Sequence, residues 1–315
     1  MTVEVTRGPL VESVHHVAAC AATPNGDVIF QAGDTQSPVF LRSTAKPFIA
    51  AAAIAAGVRE AFGLEMHEIA VMAASHAGEP FHIEAVRSIL AKIGLDESAL
   101  QCGGQEGRPH GAVYNNCSGK HAGILALARV LGADTATYMD AGNPAERCIL
   151  EFCARLSDDD PATWPLGVDG CGIPVYATSL HRAATAFARF ATLTELPPRD
   201  AMALLVVRDA MVSHPAYVAG TGEFDTVLMH AAGGAIACKA GAEGVQGTAL
   251  VTQGLGLVSK VLDGTARARA PFTMAALSRL GSGVVDSPEV AGFIRPIVYN
   301  RAGLAVGEIR ARPEE

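Results

Sequence analysis

The chain has 315 residues, half of them apolar and 18% charged, with a formal net charge of −8. This allows a sizeable core, arranged as roughly two average domains or one large one with a nested part. It argues against a nucleic-acid binder, because no basic stripe or lysine cluster offsets the acidic balance. The longest apolar run, Pro47 to Gly57, is far short of a membrane span, and Met1 to Gly8 lacks the basic-then-apolar start of a secretory signal. A cytoplasmic protein is expected.

Residues 3–42 read as strands. His16–Cys20 and Val28–Gln31 are short β-prone runs around the turn signal Thr23-Pro24-Asn25-Gly26-Asp27, and Val39–Leu41 leads into Ser43. Phe48 to Ala56 is alanine-rich and helical, with Pro47 in its first turn. Helix patterns follow near Met66–Ala74, Phe81–Ile93, Ala122–Leu131, Pro144–Leu156, Val175–Ala191 and Pro198–Val212. Glycine-rich loops occupy Cys102–Gly111 and Gly167–Pro174. β character returns at Ala235–Lys239, Val245–Val251 and Leu255–Leu262. A helix is expected at Pro271–Leu280 and a last strand at Phe293–Asn300. The pattern predicts an α/β (α+β) fold: a sheet built from both chain ends, about 1–42 plus 231–315, with a mainly helical region of about 43–230 inserted between them.

Lysine is scarce: of 24 Lys and Arg only Lys46, Lys92, Lys120, Lys239 and Lys260 are lysine. A buried ammonium can lose its proton and act as a base, whereas guanidinium stays charged. In Arg42-Ser43-Thr44-Ala45-Lys46-Pro47 a serine and a lysine lie one helical turn apart, a candidate nucleophile and base, although a serine at a helix start also reads as a cap. Ser75, at the end of an apolar helix, and Lys239, at the end of a strand followed by glycines, offer a second pairing. The plain alternatives are a helix-terminal hydroxyl and an edge-strand charge. Lys260 reads as a hairpin-arm residue.

The seven cysteines form no disulfide framework. Cys20, Cys148, Cys153 and Cys238 read as small apolar core residues, and Cys102 is undecided. Cys117 and Cys171 differ. They lie in Asn115–His121 and Asp169–Gly172, where two thiols, a lysine and a histidine on tight loops could hold a borderline metal such as zinc. A lone buried cysteine or an activated thiol fits the same residues.

Arg42–Pro47, Ser75–Glu79, Asn116–His121, Asp169–Pro174, His214-Pro215 with Gly220–Asp225, Lys239–Gly244 and Lys260–Gly264 together resemble the rhizobial-type L-asparaginases, over nearly the whole chain. The resemblance implies a serine β-lactamase/glutaminase-like fold with a mixed sheet, and hydrolysis of the side-chain amide of L-asparagine. It implies two Ser-Lys tandems, Ser43/Lys46 and Ser75/Lys239, and a zinc site at Cys117, Lys120 and Cys171. Substrate contacts are implied at Arg42, His76, Asn116, His121, Asp169 and Glu243. Arg42 and Asp169 suit the α-carboxylate and α-ammonium by charge. The resemblance implies no organic cofactor, a homodimer, and no nucleic-acid or membrane partner. One departure is Tyr138–Pro144, where the family more often has a His-Pro pair. A glutaminase differs by one methylene of pocket length. A β-lactamase or penicillin-recognising acyltransferase on this fold would need Ser-Asp-Asn and Lys-Thr-Gly motifs, which are missing. A non-enzymatic metal or amino-acid sensor is the third rival.

Overall fold

The computed structural model describes residues 1–312. Its strands are β1 (Thr2–Arg7), β2 (Leu10–Ala22), β3 (Val28–Ala32), β4 (Pro38–Phe40), β5 (Leu166–Val168), β6 (Pro174–Ser179), β7 (Ile236–Ala240), β8 (Val245–Leu250), β9 (Leu255–Val261), β10 (Ile297–Tyr299) and β11 (Ala305–Arg312). Its helices are α1 (Lys46–Ala55), α2 (Val58–Phe62), α3 (Met66–Met72), α4 (Pro80–Lys92), α5 (Ser118–Val130), α6 (Pro144–Ser157), α7 (Leu180–Thr192), α8 (Pro198–Ser213), α9 (Pro215–Val218), α10 (Phe224–Ala232), α11 (Arg269–Arg279) and α12 (Ala291–Ile294). No helix of the described residues is long and apolar enough to cross a membrane.

Both chain ends build one sheet in the order β10-β11-β1-β2-β9-β8-β7, with β3 also paired to β2. Every pairing is antiparallel, so the sheet expected to be mixed is antiparallel throughout. A long strand makes this possible. The first half of β2 pairs with β1 and its second half with β9 and β3. The last strand expected at Phe293–Asn300 needs correction. Phe293 lies in α12, only Ile297–Tyr299 is extended, and Ala305–Arg312 is the strand that joins β1. Its charged residues broke the apolar pattern, yet they are paired: Arg310 and Arg312 each donate from Nε to Glu4 Oε2 at 3.0 Å.

The helix expected over Val175–Ala191 also divides. Residues 174–179 form β6, flanked by β4 and β5 in a separate three-stranded sheet, and the helix starts only at Leu180. Ser179 sets the boundary by accepting the Arg182 amide at 3.1 Å on its side chain, an N-cap inside an otherwise continuous run. Two of its three strands, β5 and β6, lie within the interval expected to be mainly helical.

α7 then covers β2, β8 and β9. Glycines permit that close approach. A Cβ at Gly256 would sit 2.1 Å from Ala184 O, and one at Gly247 would sit 2.1 Å from the Phe187 ring. α1, α3, α5 and α8 pack against one another in the same economical way, with Ala50–Ala53 buried along α1. A Cβ at Gly119 of α5 would stand 2.1 Å from Val71 O of α3. That glycine lets the helix carrying Lys120 press against the helix that ends just before Ser75.

Candidate active site

After β4 the chain makes a tight turn at Arg42–Ala45 and enters α1. Arg42 has φ 52, a left-handed conformation that costs an arginine roughly 1–2 kcal/mol. Its guanidinium is held by Asp169, with Nε and Nη2 at 2.9 and 2.8 Å from Oδ1. Thr44 Oγ1 bonds back to Leu41 O at 2.6 Å, closing the turn. Neither this turn nor α1 is capped by a side chain, so Ser43 does not act as a helix cap.

Lys46 is buried, and its Nζ donates to Ala74 O at 2.6 Å and to Ser75 Oγ at 3.0 Å. The lysine of one expected tandem is thus bonded to the serine of the other. Burial lowers its pKa, opposed by Cys117. Lys239 lies on β7, the edge strand of the sheet, but is completely buried there, covered by α10 and the Arg42 turn. Its Nζ donates to Ala240 O at 2.7 Å and lies 3.9 Å from Asp225 Oδ2. Burial brings its pKa down to about 7 despite that carboxylate. Asp225 is itself fixed, accepting from the Ala240 amide at 2.6 Å and from Gln246 Nε2 at 3.0 Å.

Ser43, Ser75 and Lys239 share the walls of an open cavity of about 360 Å³. His76 and Asn116 line it, as do Gly241 and Ala242 after β7. Four charged residues that the sequence reading did not single out are also there: Arg108, Glu223, Asp225 and Arg269. Arg108 is a brace, donating from Nη1 to Tyr114 O at 2.8 Å and from Nη2 to His76 O at 2.9 Å.

Beside the cavity lie the two thiols. Cys117 stands at the start of α5, where the helix dipole favours an anion. Lys120 Nζ is 2.9 Å from Cys171 Sγ. A hydrogen bond from Cys171 pulls the Cys117 thiol well below its usual pKa, with help from Lys46 and Lys120, while Cys171 keeps the shared proton and is raised. Burial would depress Lys120, but the charges of Cys117 and Cys171 hold it raised. Among the described residues no three His, Cys, Asp or Glu side chains converge as a metal site, so a zinc ion held by these two thiols would need Lys120 to give up its proton and serve as the third donor.

The other expected contacts are distributed unevenly. His76 is buried and stacks on His82 with ring centroids 5.0 Å apart. Ser118 Oγ donates to Val113 O, so His76 Nε2 carries the proton in its 2.9 Å bond to Ser118. The Asn116 side-chain amide lies 3.1 Å from Cys117 Sγ. His121 bonds through Nδ1 to Tyr138 OH at 2.7 Å, and its Nε2 is buried without a partner. Arg42 and Asp169 are committed to each other and line a second, tighter cavity with Lys46, Lys120 and Glu146, separate from the one with the serines. Glu243 is exposed and faces Lys260 and Gly264, outside both cavities.

Among solved structures, that of Mglu in its native form is 17% identical, covering 87% of this chain and 66% of the other, with a TM-score of 0.46. A β-lactamase from Mycobacterium bovis is 16% identical over 88% of this chain and 95% of its own, with a TM-score of 0.42. A putative β-lactamase from Bacteroides dorei is 12% identical over 87% and 94%, with a TM-score of 0.47. This chain therefore spans about two-thirds of the length of Mglu. No curated protein matches the chain significantly. The sequence profile described as L-asparaginase II matches residues 3–311. The chain belongs to the L-asparaginase II family, a family of asparaginase-type hydrolases.

Proposed function

We propose that this protein hydrolyses the side-chain amide of L-asparagine to L-aspartate and ammonia through a serine ester. The observation that carries the reading is the convergence of two serines and two buried lysines. Ser43, Ser75 and Lys239 wall one cavity, and Lys46 Nζ reaches Ser75 Oγ at 3.0 Å. Lys46 Nζ bonds to Ala74 O and Ser75 Oγ with Cys117 as a further neighbour, and burial, which lowers its pKa, favours the neutral amine that can take a proton. In this account Ser43 attacks the amide carbon, and Lys46 accepts the hydroxyl proton as the C–O bond forms. The C–N bond then breaks as the proton held on Lys46 passes through Ser75 to the departing ammonia, with the neutral Lys239 amine as a second proton acceptor in that relay. Water hydrolyses the ester, giving a second carboxylate and restoring the serine.

The 3.0 Å contact also favours a second reading, in which Ser75 is the nucleophile and Lys46 its base. Peptide mapping of a trapped ester separates the two, by whether the adduct sits on residue 43 or 75.

Cys117, Lys120 and Cys171 would hold zinc, with Lys120 binding as the neutral amine. Bound between two thiolates, zinc is a weak Lewis acid that would orient the substrate rather than generate hydroxide.

The test is ammonia release from asparagine and glutamine side by side, with and without a chelator. We expect asparagine to be preferred by about tenfold or more in kcat/KM, on the order of what one methylene supplies. Preferential glutamine turnover, or β-lactam hydrolysis without asparagine turnover, contradicts the assignment.

A further inference from the structure

The pair expected to grip the amino-acid head group, Arg42 and Asp169, is closed on itself, and it lines the cavity that lacks both serines. The serine-bearing cavity has its own unpaired charges. Arg269, the first residue of α11, is one of its wall residues. Among the described residues no carboxylate lies within ion-pair distance of this guanidinium. Its Nη1 makes only a long 3.4 Å contact with Gly241 O, and its Nε is buried with no acceptor. The charge of Arg269 is felt at Lys239. Arg108, the other guanidinium here, is already occupied by two carbonyls.

Glu223 lines the same cavity and carries no ion pair among the described residues. Its loop is anchored from outside. Glu79 Oε1 accepts from the Thr221 amide and Oε2 from the Thr221 hydroxyl, each at 2.8 Å. Asp225, the remaining acid of the wall, is occupied by Ala240 and Gln246. The cavity therefore offers one cation with a buried donor that the fold leaves without an acceptor, Arg269, and one exposed carboxylate at its rim that no side chain neutralises, Glu223. A buried guanidinium donor without an acceptor is costly, and a bound carboxylate removes that cost.

We propose that Arg269 receives the α-carboxylate and Glu223 the α-ammonium of the substrate, so that this cavity selects zwitterionic α-amino-acid amides. The proposal rests on the asparaginase reading given above. It assigns head-group recognition to two residues far apart in sequence, and leaves the Arg42–Asp169 pair the role of holding the strained turn before Ser43.

The test compares ammonia release from L-asparagine, from 3-aminopropanamide, which lacks the carboxylate, and from succinamate, which lacks the ammonium. For Arg269→Gln we expect kcat/KM on asparagine and succinamate to fall about 10- to 150-fold, mostly through KM. That is the range for losing one charge-assisted contact, while 3-aminopropanamide should change less than about threefold. Arg269→Lys should recover part of the loss, which guards against misfolding as the cause. Glu223→Gln should spare succinamate and penalise the other two. Equal losses on all three substrates, or no loss on asparagine, would overturn the proposal while leaving the hydrolase reading intact. No ammonia from asparagine with the unmutated protein would remove the hydrolase reading and this proposal with it.

Discussion

Burial outweighs the nearby Asp225 carboxylate and brings the Lys239 ammonium down to about 7, so the neutral amine gains over the charged form as the pH rises through that value. A proton relay that uses its amine gains competent enzyme as the pH rises, so kcat/KM for ammonia release should climb between about pH 6 and 8. A profile that instead falls through this range would deny the amine that role. Cys117 offers a second test at the same scale. Replacing it with serine removes one of two sulfur donors, and elemental analysis of Cys117→Ser should find bound zinc reduced by about tenfold or more relative to the unmutated protein. Equal zinc in both would place the metal elsewhere. Several of these residues were legible in the sequence, because a serine and a lysine one turn apart, or a glycine-flanked thiol, leave a local signature. Arg269 was not, and Glu223 entered only within the Gly220–Asp225 motif, with no role of its own. A single arginine among many carries no pattern, and its lack of a partner exists only in three dimensions. The Arg42–Asp169 pairing was hidden for the same reason, since its members lie 127 positions apart.

The elements that carry the site are held close by missing side chains. Gly119 brings α5 against the Val71 carbonyl of α3, and a methyl there would stand 2.1 Å from that oxygen. We expect Gly119→Ala to lower stability by about 1–3 kcal/mol, the usual cost of overpacking. It should also reduce zinc binding, because Lys120 moves with its helix. Thermal melts and metal content check both, and a variant as stable and as zinc-replete as the unmutated protein would argue against the close packing. Gly256→Val tests the opposite side. Its side chain would meet the Ala184 carbonyl and the Ala188 amide of α7, so destabilisation by about 3 kcal/mol or more is expected with no direct contact to the cavity. Most element boundaries were readable from apolar spacing. β6 was not, because Val175–Ala191 is one unbroken stretch in which only the Ser179 cap separates strand from helix. β11 escaped because its alternation is of charges paired to Glu4 rather than of apolar residues.

The molecule as a whole explains why the cavity needs both chain ends. Lys239 comes from β7, in the sheet that the two termini close, whereas Ser43, Lys46 and Ser75 come from the intervening helical part. The return of the C-terminal strands beside β1 and β2 was foreseeable from where β character resumes, but their antiparallel order was not, since strand order follows from pairing partners and not from local composition. The cavity is therefore a property of the assembled interface between the two parts. The direct test is steady-state ammonia release from L-asparagine by the unmutated protein, Ser43→Ala and Lys46→Ala, each verified as folded. The account predicts clear turnover in the first and a loss of about a thousandfold or more in both variants, as expected when a nucleophile or its base is removed. Near-normal turnover in either variant would contradict it.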